Sequence, residues 1–212
     1  RCRNTGVLTR KDAVELLAVG PTLRGSGVPE DVRQDWPYSA YGDLNVKAIT
    51  PDALGGEVVG DVYDRIIVRL LEVKQSVGII RDAMARMPEG PINSVPKVGV
   101  LLNQLKKAEG EGIGRHEAPR GEVFHYYRTS AGNEFPDAWK VKAPTYSNML
   151  SWLKMLQCAQ VADIPIIIAS IDPCVSCTDR VAVVKNGRTS VLTKEDLRCL
   201  SVEKTRALRK RL

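Results

Sequence analysis

The chain has 212 residues, 43% of them apolar and 26% charged, which is ordinary for a folded globular protein of one medium domain or two small ones. Its longest apolar stretch, Ile164 to Ile171 with Pro165 inside it, is too short to cross a bilayer, and an odd count of five cysteines argues against a secreted disulfide framework and for a reducing compartment. Nine Lys/Arg against three Asp/Glu in residues 181–212 account for the whole net charge of +6, so residues 1–180 are neutral and no nucleic-acid partner is expected.

No apolar h-region follows Arg1-Cys2-Arg3-Asn4. The stretch reads as a processed product or a piece of something longer. Residues 20–60 hold seven Gly and four Pro. Runs such as Arg24-Gly25-Ser26-Gly27-Val28-Pro29 predict a long irregular loop, functional or packed under partners, and the most mobile part of the chain when those partners are missing. Asp61 to Arg86 reads as the longest helix. Ile66, Leu70, Val73, Val77, Ile80 and Met84 recur at steps of three and four, a stripe expected to face a bundle core, and Pro88 and Gly90 end it.

Gly121–Ser130 and Ala138–Ala143 read as two strands, with Gly132-Asn133 in the turn region between them. Thr145 to Val161 reads as a second helix, closed by Pro165, and the apolar run Ile164–Ile171 then leads into a cysteine pair. Val181–Val184 and Thr189–Leu192 around Lys185-Asn186-Gly187 predict a small hairpin. Thr193 with Asp196 predicts a capping box for a final helix ending in Arg206, Arg209, Lys210 and Arg211. Those basic residues suit a solvated helix end, with an acidic partner or anionic lipid as the alternative. The fold class expected is α+β, mainly an α-helical bundle with a small antiparallel β-sheet, divided into residues 1–180 and a basic tail, 181–212.

Two clusters carry chemistry. Cys174 and Cys177 stand two residues apart in Asp172-Pro173-Cys174-Val175-Ser176-Cys177. Thiolates at that spacing can face one metal ion, with metal–sulfur bonds of about 2.3 Å. A redox pair, a structural zinc site recruiting Cys158, Cys199, His116 or His125, and half of a catalytic metal site completed elsewhere are all open on spacing alone. The second cluster is Arg115-His116-Glu117-Ala118-Pro119-Arg120-Gly121-Glu122. Pro119 fixes φ and Gly121 permits close approach, so Arg120 should sit on a defined turn. It is either a structural arginine paired with Glu117 or Glu122, or a functional cation.

Glu117 to Glu122 and Asp172 to Cys177 resemble the C-terminal half of a nickel–iron hydrogenase large subunit, the membrane-bound, energy-converting, CO-induced branch in particular. So do Leu23 to Pro29, Asp35-Trp36-Pro37-Tyr38, and Gly60 to Arg65 with Gln75-Ser76. The same residues are similar to the homologous quinone-site core subunit of respiratory complex I (NADH-quinone oxidoreductase), in which the cysteines are lost. The resemblance spans about residues 5–184. It implies a large-subunit-like fold, Cys174 as a terminal nickel thiolate, Cys177 as a bridge from nickel to iron, and Arg120 over the open coordination side, aiding heterolytic cleavage of hydrogen. It further implies Pro119 and Arg120 against the CN and CO ligands of iron, with Glu117, Asp172 and Pro173 supporting them. Arg180 falls at a possible processing site. The implied partners are the N-terminal half of the same subunit, an iron–sulfur small subunit and other soluble and membrane subunits, and the implied location is the cytoplasmic side of the cell membrane, peripherally bound. The family's N-terminal Cys-x-x-Cys is absent, so the chain is expected to hold no intact nickel–iron centre and to be inactive alone. The alternative is a complex I-like electron-transfer scaffold with relic cysteines.

Overall fold

The structure is a computed structural model describing residues 1–95, 97–133, 135–178 and 181–209. Arg180, Lys210 and Arg211 lie outside the described residues. The chain divides into two compact units, Arg1–Asp172 and Pro173–Leu212.

In the first unit, short helices α1 (Arg10–Glu15), α2 (Pro21–Arg24) and α3 (Val32–Asp35) precede the long helix α4 (Val62–Arg86). Asp61 caps α4, its carboxylate accepting from the Asp64 amide at 2.9 Å. Residues 2–8 run past this helix start: Leu8 N–H donates to Gly60 C=O at 2.8 Å and Val62 N–H to Thr5 C=O at 3.0 Å. Gly60 has φ +77, and a Cβ there would lie 2.1 Å from the Leu8 carbonyl oxygen, so only glycine lets the two segments meet. The core joins Leu8, Ala13, Ala18, Leu23 and Val62 to Met155, Ile167 and Ile171.

Three expectations change here. The stripe Ile66–Leu70–Val73–Val77–Ile80–Met84 does not face this core: Leu70 is 61% exposed and Ile80 58%. The buried face of α4 is Val62, Asp64, Arg65 and Val68, at its first two turns. The predicted helix 145–161 is broken into α6 (Pro144–Met149) and α7 (Trp152–Met155), and Cys158 takes φ +58, which no helix accommodates. Pro165 opens rather than closes a helix, α8 (Ile164–Ala169), where its missing N–H costs nothing. Within the glycine-rich segment 20–60, residues 20–26 are buried while most of the remainder is exposed or half-buried.

A further short helix, α5 (Val98–Leu105), leads into a three-stranded antiparallel sheet in the order β1 (Gly110–Ala118), β2 (Gly121–Thr129), β3 (Ala138–Lys142). Strand β1 was not read from the sequence: Gly110, Gly112 and Gly114 interrupt its pattern. Ala118 pairs with Gly121, leaving Pro119 and Arg120 as a two-residue turn. The second unit contains the 3₁₀ turn Val175–Cys177, the hairpin β4 (Val181–Lys185) and β5 (Arg188–Leu192), and α9 (Lys194–Arg209). Asn186 (φ +52) and Gly187 (φ +72) form the predicted hairpin turn. The predicted cap is present too, with Thr193 Oγ1 accepting from the Asp196 amide at 3.2 Å and the Thr193 amide donating to the Asp196 carboxylate at 2.9 Å.

Candidate functional site

In the first unit the β1–β2 turn is docked, not free. Gly20 and Gly121 pass so closely that a Cβ on Gly20 would lie 2.3 Å from Gly121 Cα. Buried Asn148, on α6, ties the two segments: its Oδ1 accepts from Val19 N–H at 2.9 Å and its Nδ2 donates to Arg120 C=O at 3.1 Å. The guanidinium of Arg120 then points one way only. Its Nε donates to the Asp172 carbonyl at 2.5 Å and its Nη2 to the Asp172 carboxylate at 3.1 Å. Asp172, the last residue of the unit, adopts φ +55. The expected pairing of Arg120 with Glu117 or Glu122 is therefore not found. Both glutamates have other partners: Glu122 bonds Arg115, and Glu117 bonds Arg24.

Arg24 is the residue that sequence reasoning passed over. It is 1% exposed and heavily bonded: Nε to Glu72 at 2.6 Å, Nη1 to Glu117 at 2.9 Å and to the Glu30 carbonyl at 2.8 Å, with Asp31 3.5 Å away. Burial works against its charge, but the carboxylates of Glu72, Glu117 and Asp31 outweigh it and raise its pKa. Asp31 in turn grips Arg33 at 2.9 and 2.6 Å, and these bonds with Arg24's charge hold its carboxyl below the usual range although burial pushes the other way. The signal in the sequence was Arg24 inside a run too rich in glycine to be helix or strand, since a cation there needs an anionic partner if it is buried. Arg24, Arg33, Glu72 and Glu117, with Arg69 and Pro119, line a cleft of about 360 Å³ that also reaches Asp172.

His116 and His125 do not gather metal ligands. Their rings stack with centroids 5.7 Å apart, and Trp139 Nε1 donates to His125 Nδ1 at 3.1 Å. Among the described residues there is no group of three or more His, Cys, Asp or Glu placed to hold a metal ion.

In the second unit, Pro173 leads into the turn that carries both predicted thiols. Cys177 N–H donates to Cys174 C=O at 3.2 Å, and Thr178 Oγ1 donates to the same carbonyl at 2.9 Å. Cys174 Sγ lies 3.1 Å from Ser176 Oγ. Both cysteines are half-buried. Two soft donors on one tight turn suit a soft or borderline metal as a partial ligand set.

The first unit thus holds a buried arginine–carboxylate network beside a two-residue turn, and the second a Cys-x-x-Cys turn after Asp-Pro. The chain belongs to the family described as respiratory-chain NADH dehydrogenase, 49 Kd subunit, whose profile matches residues 1–104 and 97–180. Among curated relatives, it is 48% identical over 210 residues to the membrane-bound hydrogenase subunit alpha of Pyrococcus furiosus, covering 98% of this chain and 49% of that protein. It is 39% identical over 180 residues to the carbon monoxide-induced hydrogenase of Rhodospirillum rubrum (85% of this chain, 46% of that one). It is 38% identical over 177 residues to an NADH-quinone oxidoreductase subunit of a Roseiflexus species (81% and 45%). The chain thus spans about half the length of the relatives it matches, and the family relationship read from its motifs is borne out. No helix among the described residues is long and apolar enough to cross a membrane.

Proposed function

We propose that this chain is the C-terminal portion of the catalytic large subunit of a membrane-bound, energy-converting nickel–iron hydrogenase, which evolves or oxidises H2 in exchange with a ferredoxin-like carrier. One observation carries the proposal. A chain 48% identical to a membrane-bound hydrogenase subunit alpha keeps Asp172-Pro173-Cys174-Val175-Ser176-Cys177, with both thiols on one turn. The α+β, large-subunit-like fold class is part of the same proposal.

The nickel–iron centre, with CN and CO on iron, supplies the making and breaking of the H–H bond when it is bound. Cys174 and Cys177 fit as two of its four thiolates, and the other two come from outside the described residues. Arg120 contributes a permanent positive charge and a fork of donors, held in direction by Asp172 and by the rigid Pro119 turn. Glu117 acts at one remove: with Arg24 it anchors the strand end beside the turn that carries Arg120.

The exposed stripe along α4 supports the N-terminal half of the subunit as a packing partner, because an apolar face of this length on a 25-residue helix marks an interaction site. An iron–sulfur small subunit and membrane subunits complete the assembly, which places the chain peripherally on the cytoplasmic side of the membrane. The 38% identity to the Roseiflexus NADH-quinone oxidoreductase chain favours the second reading, a quinone-site electron-transfer scaffold that holds no metal.

The test is metal content and hydrogen turnover of the assembled complex. Nickel and iron present together, with methyl viologen-linked hydrogen activity lost in Cys174→Ser and in Cys177→Ser, is the expected result. A complex that transfers electrons without nickel, indifferent to both substitutions, overturns the proposal in favour of the scaffold.

A further inference from the structure

Arg65, in the first turn of α4, is fully buried. Its guanidinium bonds three separate passages of the chain. Nη2 donates to the Gly6 carbonyl at 2.7 Å, Nη1 to the Gly60 carbonyl at 2.8 Å and Nε to Ser170 Oγ at 2.9 Å. All three acceptors are neutral, unlike the carboxylates that hold Arg24. Burial pulls the Arg65 pKa down to about 10 against the attraction of Asp61 and Asp64, so the group stays charged at neutral pH. A cation held out of water on neutral acceptors is a poor way to stabilise a core, since apolar residues of like size often do as well or better. What the planar fork supplies is direction, because its donors leave at fixed angles.

Ser170 carries that direction toward the site. Its hydroxyl accepts from Arg65 and donates to the Ile167 carbonyl at 2.7 Å, which ties down the C-terminal end of α8. Ser170 is buried, and Ile171 beside it belongs to the core. The chain then turns sharply: Asp172 N–H donates back to Ala169 C=O at 2.9 Å, and Asp172 takes φ +55. An aspartate in this region is uncommon and persists where its surroundings hold it. In that pose it offers Arg120 both its carbonyl, at 2.5 Å, and its carboxylate, at 3.1 Å. A continuous line of covalent and hydrogen bonds therefore runs from Arg65 through Ser170 to the Asp172–Arg120 pair.

We infer that Arg65 and Ser170 are positioning residues: they fix the end of α8 so that Asp172 meets Arg120 at one angle. Both act through Asp172. The inference rests on the proposed hydrogenase reaction only for its kinetic consequence, and its geometric part is tested without that reaction.

The geometric test is hydrogen exchange at the Arg120 Nε–H, followed by NMR on the full chain and assigned by its absence in Arg120→Lys. Bonded to the Asp172 carbonyl, this proton is expected to exchange slowly. Ser170→Ala is expected to speed its exchange about tenfold, while the amide of buried Val68 on α4 changes less than about twofold. Ser170→Thr, which keeps the hydroxyl, is expected to restore the slow exchange. No acceleration at Arg120, or equal acceleration at Arg120 and Val68, overturns the inference. In the assembled complex, Ser170→Ala is expected to lower kcat for hydrogen turnover about fivefold with KM little changed, and Ser170→Thr to recover it. A wild-type kcat in Ser170→Ala counts against the positioning role. A complex without hydrogen turnover refutes the hydrogenase proposal and leaves the exchange rates to decide the role of Arg65 and Ser170.

Discussion

Replacing Gly20 by Ala tests the docking of the Arg120 turn at its tightest point. Gly20 sits at φ +64, a conformation that costs an L-residue about 1–2 kcal/mol. The added Cβ would lie 2.3 Å from Gly121 Cα and 2.6 Å from both the Arg120 carbonyl oxygen and the Gly121 nitrogen. All three are backbone atoms, so no side chain can rotate away and the hairpin itself must shift. Overpacking of this kind costs about 1–3 kcal/mol. Together the two terms give about 2–5 kcal/mol, a large share of a typical stability of about 5–15 kcal/mol. Moving the turn also stretches the Asn148 bonds to Val19 and Arg120, and so loosens the orientation of the guanidinium. Urea unfolding should show a midpoint lowered by about 1–2 M, and trypsin should cleave after Arg120 faster than in the parent. Gly56→Ala is the matched control, since a Cβ there meets nothing within 4 Å and the backbone needs no left-handed φ. That substitution should be neutral to slightly stabilising. Equal midpoints for the two variants would refute the docking.

Arg24→Met leaves Glu72, Glu117 and Asp31 without their shared cation and should destabilise the first unit by about 3–5 kcal/mol in denaturant unfolding. Asp31→Asn should cost about 1.5–3 kcal/mol at neutral pH, where the carboxylate holds Arg33 with two bonds. The Asp31 carboxyl is depressed from its ordinary 3.8, so the unfolded chain takes up that proton first as pH falls. Its contribution is complete above 3.8 and is lost as pH falls through the depressed folded value, so the unfolding curves of Asp31→Asn and wild type should converge below pH 3.8 and not above it. In the second unit, Thr193→Ala removes the cap of α9 and should reduce stability by about 0.5–2 kcal/mol, with a measurable loss of far-ultraviolet helical signal.

What the sequence made legible was local. The capping box at Thr193, the Asn186-Gly187 hairpin, the start of α4 at Asp61 and the placing of Arg120 on a turn by Pro119 and Gly121 each depend on residues within four positions of one another. What stayed hidden depends on distant pairs. Arg120 finds Asp172 across 52 positions and Arg24 finds Glu117 across 93. No periodicity announces such bonds. Strand β1 was missed because three of its residues are glycine, and the helix at 145–161 was overextended because apolar spacing continues past the point where Cys158 turns the chain to positive φ. The first part of the glycine-rich segment 20–60, residues 20–26, misled in the other direction. Its glycines are the small residues that let backbone touch backbone in a packed interior, as Gly20 does against Gly121.

The stripe on α4 was read correctly as apolar and wrongly as core, and the two statements have one cause. Periodicity reports that a face avoids water, not what covers it. Along α4 the fully buried residues stop at Val68, while the apolar stripe continues to Met84. Some polar residues of the same helix serve the interior: Arg69 and Glu72 turn into the charged cleft, and Gln75 bonds the backbone of Lys47 at 2.9 and 3.0 Å. One helix therefore serves two surfaces, a charged one that supports the Arg120–Asp172 pair and an apolar one that remains uncovered. A partner packed on the second surface would rest on residues that do not line the cleft, apart from Val73. A substitution on the stripe far from the cleft, such as Ile80→Asp, should then impair hydrogen turnover only by lowering the amount of assembled complex. A substitution at Val73, which lines the cleft itself, should alter turnover per assembled complex as well.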